Sequence, residues 1–360
     1  MVDYSRAFDT VNHAILLRKL ERYGIRGAGL TLLASYLRDR PQSVCLNGRY
    51  SNNILTNISV PQGSVVGPFL FLVYITEIPF LSNYFMPTIF ADDCTLSLVG
   101  DDLNYLVNLC NTELSIFKSW SDANRLTINV EKTNCFFISN IHPLLPEASI
   151  LLENHELDIV NCVKFLGLFL DNKLKFDTHI KHICSKVSKS IGIIFRIRSL
   201  VPKKLLRNIY FSLVQPYFLY CLPVFASTYQ VHLNPLIKLQ KTAIRAINVA
   251  GFNDHTNPLF LNSKILKLQD QYKHSLGCYM YDNQYLLNEY SRNHNYSTRN
   301  RDLPLVPFAR LRTTEQSVIR NAIAEWDKIP INIRGSRNKN IFKFHYKTFL
   351  LNQYISAEDN

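Results

Sequence analysis

The 360-residue chain has no Cys-x-x-Cys pair and no Cys/His zinc knuckle. Its eight cysteines, at 45, 94, 110, 135, 162, 184, 221 and 278, are scattered. That spread suits a reducing compartment better than a disulfide framework. His179-x-x-His182-x-Cys184 has ligand-type residues, but no second cluster completes a metal site, so it reads as part of a helix. No secretory leader is visible, and the longest apolar run, Phe69 to Ile75, is far short of the roughly 18 residues a membrane helix needs. Acidic residues are scarce in the second half. Residues 171–360 hold 28 Lys and Arg against 12 Asp and Glu, while residues 1–170 hold 12 against 16. The first half carries the acids; the second carries a positive field of the kind that attracts a polyanion.

Thr88 to Leu98 carries the most chemistry. An apolar lead-in, Thr88-Ile89-Phe90-Ala91, ends at Asp92-Asp93, and Cys94-Thr95-Leu96-Ser97-Leu98 alternates on the way out. Period-2 alternation predicts a hairpin with the two acids at or near its turn. Adjacent acids on a strand point to opposite faces, so both meet one site only where the chain bends. Taken alone, such a pair is usually a polar hairpin tip. A third acid, Asp3, opens Asp3-Tyr4-Ser5-Arg6-Ala7-Phe8-Asp9-Thr10-Val11, and Val60-Pro61-Gln62-Gly63-Ser64-Val65-Val66-Gly67-Pro68 lies between the two blocks.

These three blocks, in this order, resemble motifs A, B and C of the reverse transcriptases of non-LTR (LINE-type, Jockey-like) retrotransposons. The stretch Leu126 to Asn134 resembles motif D, with Lys132 as its lysine, and Lys164-Phe165-Leu166-Gly167 resembles motif E, the primer grip. The resemblance implies an α/β palm of a right-hand polymerase, an antiparallel sheet with packed helices, over residues 1–170. A helical thumb over 171–250 and a basic C-terminal region over 251–360 would follow. Because Asp3 stands two residues from the start, the resemblance also implies an element truncated at its N-terminus, with its fingers largely missing. The alternative is a catalytically inactive nucleic-acid-binding remnant. The implied partners are an RNA template, a DNA primer and dNTP, with no membrane. The implied location is intracellular, in nucleus and cytoplasm.

Nucleotidyl transfer shows why such a family needs acids at these places. The in-line displacement at an α-phosphate gathers negative charge, which two divalent ions about 3.5–4 Å apart can offset. Mg²⁺ prefers carboxylate oxygens and substrate phosphates. The resemblance makes Asp3 and Asp92 the bridging ligands of two Mg²⁺ (Mn²⁺ being the alternative), with Asp93 as supporting acid. It makes Phe8 a gate against a ribose 2′-hydroxyl, where the plain reading is a core Phe. Gln62 and Gly63 line the templating base, and glycine allows close backbone approach. Lys132 serves the pyrophosphate leaving group, or is simply a solvated loop lysine. Phe165, Leu166 and Gly167 form the primer grip.

Elsewhere the periodicities predict helices over Val11–Tyr23, Leu30–Tyr36, Phe69–Ile78, Leu103–Asn124, Phe176–Arg198, Leu205–Tyr220 and Leu233–Val249, and an Asn47-Gly48 hairpin. Lys181, Lys186 and Lys189 lie outside the apolar stripe of the Phe176 helix, and Lys238, Lys241 and Arg245 ride on the Leu233 helix; these six are the candidate nucleic-acid contacts. Past Gly251 the pattern weakens, and Asn283–Asn300 reads as loop. Arg292, Arg299, Arg301, Arg310, Arg312, Arg320, Arg334 and Arg337, interspersed with Tyr290, Tyr296, Trp326 and Tyr346, suit single-stranded nucleic acid. A small helical appendage with core aromatics accounts for the same residues.

Overall fold

Asn12 starts the first helix. Its side-chain oxygen accepts from the Ile15 N–H at 3.1 Å, which satisfies one of the free donors of α1 (His13–Arg22). The computed structural model describes residues 1–139, 148–289, 306 and 308–356. Two compact units divide the chain, Met1–Asn161 and Cys162–Asn360.

In the first unit, α1, α2 (Gly27–Leu37), α3 (Val66–Ile75) and α4 (Leu103–Ala123) carry most of the core. Leu16, Leu20, Leu37, Leu70, Phe71 and Tyr74 are fully buried. Asp102 caps α4 by accepting from Tyr105 N–H at 3.1 Å. The expected hairpin forms at Asn47-Gly48, which join Cys45–Leu46 to Arg49–Tyr50. Both residues take positive φ, 49° and 78°, as a two-residue primed turn requires. α3 begins before Phe69, because Ser64 Oγ accepts from Gly67 N–H at 2.9 Å and opens the helix.

The antiparallel sheet of the expected palm is present as short ladders. Met86–Phe90 pairs with Asp93–Ser97, and single bridges carry the pairing to Val2 (with Cys94) and from Tyr4 to Ile128. Asn134–Phe136 departs from the expectation by pairing parallel with Asp158–Val160.

A charged cluster that the sequence reading did not anticipate ties three of these helices together. The Lys19 ammonium, 7% exposed, donates to Tyr74 O at 2.6 Å and to Glu77 Oε2 at 3.0 Å, and Trp120 Nε1–H donates to the same oxygen at 2.9 Å. Burial lowers the Lys19 pKa. Burial pushes Glu77 upward, but the hydrogen bonds from Trp120 and Lys19 outweigh it and hold its pKa low.

The second unit opens with the hairpin Cys162–Phe165 and Leu168–Asp171. The Asp171 carboxylate then accepts from the N–H groups of Lys173, Lys175 and Phe176 at 3.2, 2.9 and 2.5 Å, turning the chain into α5 (Asp177–Ile197). The predicted stripe Ile180, Ile183, Val187, Ile191 and Ile194 is buried. The single helix expected over Leu205–Tyr220 is two, α6 (Lys203–Leu213) and α7 (Gln215–Leu219). Pro216, in the first turn of α7, cannot donate the backbone bond that would continue α6. α8 (Leu222–Phe225) and α9 (Gln230–Asn248) follow; Pro235 lies inside α9 without ending it.

The weak pattern past Gly251 hides real helices: Thr256–Ser263, Leu268–Asp282, Val318–Trp326 and Lys339–Ser356. Their residues share one core with α5, α6 and α9. Trp326 and Tyr346, expected as possible stacking platforms for bases, are 4% and 1% exposed and belong to that core. Tyr290, Tyr296, Arg292, Arg299 and Arg301 lie outside the described residues, as does the Arg312 side chain. No helix among the described residues is long and apolar enough to cross a membrane.

Candidate active site

Phe90 pairs with Asp93 across a two-residue turn of Ala91 and Asp92. Ala91 takes φ +52°, the left-handed region a primed turn demands and an L-residue with a Cβ resists. Asp92 therefore projects from the turn and Asp93 opens the return strand, and both are exposed. Cys94 is buried beneath them at 2%.

The Asp3 segment lies against that return strand. Val2 N–H donates to Cys94 O at 2.8 Å in an antiparallel bridge, so one step along the register sets Asp3 opposite Asp93. Its other edge is held by Asn129 N–H donating to Asp3 O at 2.8 Å, and Asp3 N–H donates to Thr133 Oγ1 at 3.3 Å. Residues 90 apart are thus brought onto neighbouring strands. Their charges are felt: partial burial raises the Asp93 pKa first, and the carboxylates of Asp92 and Asp3 raise it further.

The donor set is carboxylate oxygen, which suits hard divalent cations. Among the described residues no three His, Cys, Asp or Glu side chains are drawn closely enough together, as placed, to grip an ion. The same holds for His179, His182 and Cys184. His179 is buried and its Nδ1 faces the Phe169 N–H at 3.5 Å.

Lys132 Nζ stands 4.0 Å from Asp3 Oδ2, with the lysine 71% exposed, so this is a loose solvated pair. The Phe8 ring is half-buried and stacks on Phe71 of α3, with centroids 4.5 Å apart. Val60 N–H donates to Phe8 O at 3.0 Å, joining the Asp3 block to the loop before Gln62. Gln62 Nε2 donates to Asp9 Oδ1 at 2.8 Å. Gly63 has φ +80° with open space around it. Gly67 matters for another reason: a Cβ there would fall 2.7 Å from Pro61 O.

In the second unit, Leu166 and Gly167 make the hairpin turn with φ +45° and +87°, and the Tyr220 hydroxyl donates to Leu166 O. Lys181, Lys186, Lys189, Lys238 and Lys241 are exposed. Arg245 is occupied with its own neighbourhood, donating to Asp254 O at 3.1 Å and facing the Phe252 ring.

Gly67 and Tyr220 were not singled out from sequence, nor was the bond between Asp9 and Gln62. Asp9 meets a partner 53 residues away and Tyr220 one 54 residues away, and no local pattern announces either contact.

Carboxylates on a hairpin tip and on the segment bridged to it are the donor type that phosphoryl-transferring metal sites use. Residues 1–170 match the family "Reverse transcriptase (RNA-dependent DNA polymerase)". The chain is 26% identical over 329 residues to the probable RNA-directed DNA polymerase from transposon BS of Drosophila melanogaster, covering 86% of this chain and 34% of that protein. It is 28% identical over 297 residues to the RNA-directed DNA polymerase from mobile element jockey of the same fly, covering 78% of this chain and 31% of that protein. The X-element polymerase is 25% identical over 284 residues, 76% of this chain and 31% of its own length. The chain thus spans about a third of these relatives. Residues 1–170 resemble a reverse transcriptase domain, and the chain is similar to the polymerases of jockey-type mobile elements.

Proposed function

We propose that the chain is the palm and thumb portion of an RNA-directed DNA polymerase of a non-LTR retrotransposon, which joins dNTP to a primer 3′-hydroxyl on an RNA template. It would work inside the cell, in nucleus and cytoplasm. The observation that supports the reading is the antiparallel bridge between Val2 and Cys94, one register step from Asp3 and Asp93.

Asp3, Asp92 and Asp93 would hold two Mg²⁺, Mn²⁺ being the alternative. Divalent ions there would offset the charge that builds on the displaced phosphate. Ionised Asp93 sits in the field of two other carboxylates, a repulsion that bound cations relieve. Phe8, braced by Phe71, offers the ring edge that would exclude a ribose 2′-hydroxyl. Gly63 keeps the loop beside the templating base free of a side chain. Lys132, loosely paired with Asp3, is free to follow the pyrophosphate. The turn Phe165-Leu166-Gly167 would grip the primer, and the exposed lysines of α5 and α9 would meet phosphates.

The test is extension of a DNA primer on an RNA template. It is run with the 360-residue chain and with a chimera in which these residues replace the matching segment of the jockey polymerase. Asp92→Asn keeps the size and removes the charge, so it should reduce incorporation to background. A chimera that extends the primer as fast with Asp92→Asn as without it would sink the assignment.

A further inference from the structure

We infer that Asp9 is a positioning residue that sets the orientation of the Gln62 carboxamide at the templating site. The inference rests on the polymerase reading above.

A carboxylate only accepts hydrogen bonds, so the Gln62 atom 2.8 Å from Asp9 Oδ1 must be its nitrogen. That contact removes the usual twofold ambiguity of an amide. With the nitrogen turned toward Asp9, the Gln62 carbonyl oxygen faces away from it and is left to accept. Both ends of the bond are mounted on fixed backbone. On one side, Asp9 N–H donates to Arg6 O at 2.8 Å, Thr10 Oγ1 donates to Ala7 O at 3.2 Å, and Phe8 O accepts from Val60 N–H at 3.0 Å. On the other, Ser64 Oγ donates to Pro61 O at 2.8 Å and accepts from Gly67 N–H at 2.9 Å. The Phe8 ring, adjacent to Asp9, stacks on Phe71 of the helix that follows the loop.

What this leaves free is the Gln62 side chain itself, which is exposed. An unrestrained glutamine would spread over its rotamers and present its donor and acceptor ends interchangeably, and ordering it would fall on the binding step. Asp9 performs that ordering beforehand, which is how a group that touches no substrate improves its binding. A charge-assisted bond is suited to the task because it is stronger than an amide–amide contact. Asp9 also explains an acid that the metal set does not use.

The test compares Asp9→Ala, Asp9→Asn, Gln62→Ala and the Asp9→Ala/Gln62→Ala double variant in primer extension, in the chain and in the chimera. Asp9→Ala and Gln62→Ala should each raise KM for dNTP roughly 3- to 10-fold, the net scale of one solvent-exposed hydrogen bond. kcat should change much less. The double variant should match Gln62→Ala, since Asp9 acts only through Gln62. Asp9→Asn, which keeps an acceptor without the charge, should fall between parent and Asp9→Ala. Melting of each variant should match the parent, because the pair is exposed. A second readout needs no turnover: in ¹⁵N-labelled full chain, the Gln62 side-chain amide signals should be dispersed in the parent and collapse to free-amide values in Asp9→Ala. Multiplicative effects in the double variant, an unchanged KM in Asp9→Ala, or amide signals indifferent to Asp9 would each overturn the inference. Loss of polymerisation with Asp92→Asn keeps the polymerase reading standing in those cases. A chimera that never incorporates dNTP overturns that reading and the inference with it.

Discussion

The Tyr220 hydroxyl donates to the carbonyl of Leu166, at a turn where Leu166 and Gly167 both hold positive φ. The ring of the same tyrosine lies 3.5 Å from where a Gly167 Cβ would stand. A residue between two short helices thereby braces the tip of the hairpin assigned to the primer.

This predicts that Gly167→Ala is strained, chiefly by its φ of +87°, at a cost of about 1–2 kcal/mol. Tyr220→Phe should keep the ring packing and lose only the hydroxyl bond. In the polymerase reading it weakens the grip on the primer, visible as faster dissociation of a primer–template duplex, with KM for dNTP unchanged. Equal dissociation rates for parent and Tyr220→Phe would separate this tyrosine from primer binding.

The Lys19–Glu77–Trp120 cluster should behave as a coupled unit. Lys19→Met strips the donor from Tyr74 O, and Glu77→Gln leaves a buried ammonium without its counter-charge. Breaking a fully buried pair costs several kcal/mol. Because the Glu77 side chain is 37% exposed, roughly 1–3 kcal/mol is expected for either change. The double variant should cost less than the sum. Urea unfolding followed by Trp120 fluorescence reads this directly, in a Trp326→Phe background that leaves a single tryptophan. Strict additivity would show that Lys19 and Glu77 are independent.

How much of this could be read from the chain alone depends on the range of the forces involved. Helices followed from local pattern: the Ile180 to Ile194 stripe is buried as expected, and Asn47-Gly48 turns because its residues accept positive φ. The acid-bearing blocks could be picked out because motif order substitutes for distance information. The bond between Asp9 and Gln62 was not, since it spans 53 residues and leaves no periodicity. Nothing local marks Lys19 for burial; its ammonium faces the ring of Trp120, supplied by a helix a hundred residues later. Past Gly251 the polar residues interrupt the apolar stripe, yet several of them are buried against partners. Glu325 accepts from Tyr346 and Asp270 accepts from Tyr354, at 2.9 and 2.6 Å. A hydropathy pattern scores such residues as surface.

His179 gives the second unit a pH-dependent weakness. Burial, with His182 nearby, pushes its pKa down from 6.5 to about 4. The unfolded chain takes up that proton near its ordinary pKa, while the folded chain refuses it. Stability from this group therefore falls as pH drops below about 6.5 and levels off below about 4, for a total of at most about 3 kcal/mol. Chemical unfolding at pH 7, 5.5 and 4 should show the loss, and His179→Leu should flatten it across that window. A parent and a His179→Leu variant with the same pH slope would show that another group governs the acid side.

The exposed lysines make the last prediction. Lys181, Lys186 and Lys189 on α5 reach solvent, as do Lys238 and Lys241 on α9, whereas Arg245 is held by Asp254 and Phe252. Each lysine that meets a phosphate releases counterions, and contributes about −0.9 to the slope of log Kobs against log salt on a duplex. Changing Lys181, Lys186 and Lys189 together to Ala should weaken binding of a primer–template duplex. It should also make the slope shallower by up to about 2.7, if all three meet phosphates. Arg245→Ala should leave the slope close to the parent, because its guanidinium is already bound within the chain. The two results separate a real phosphate-binding face from mere net charge: if charge alone mattered, one Arg245→Ala change would shift the slope as much as any single lysine. A triple variant with the parent's slope would move the nucleic-acid surface off α5.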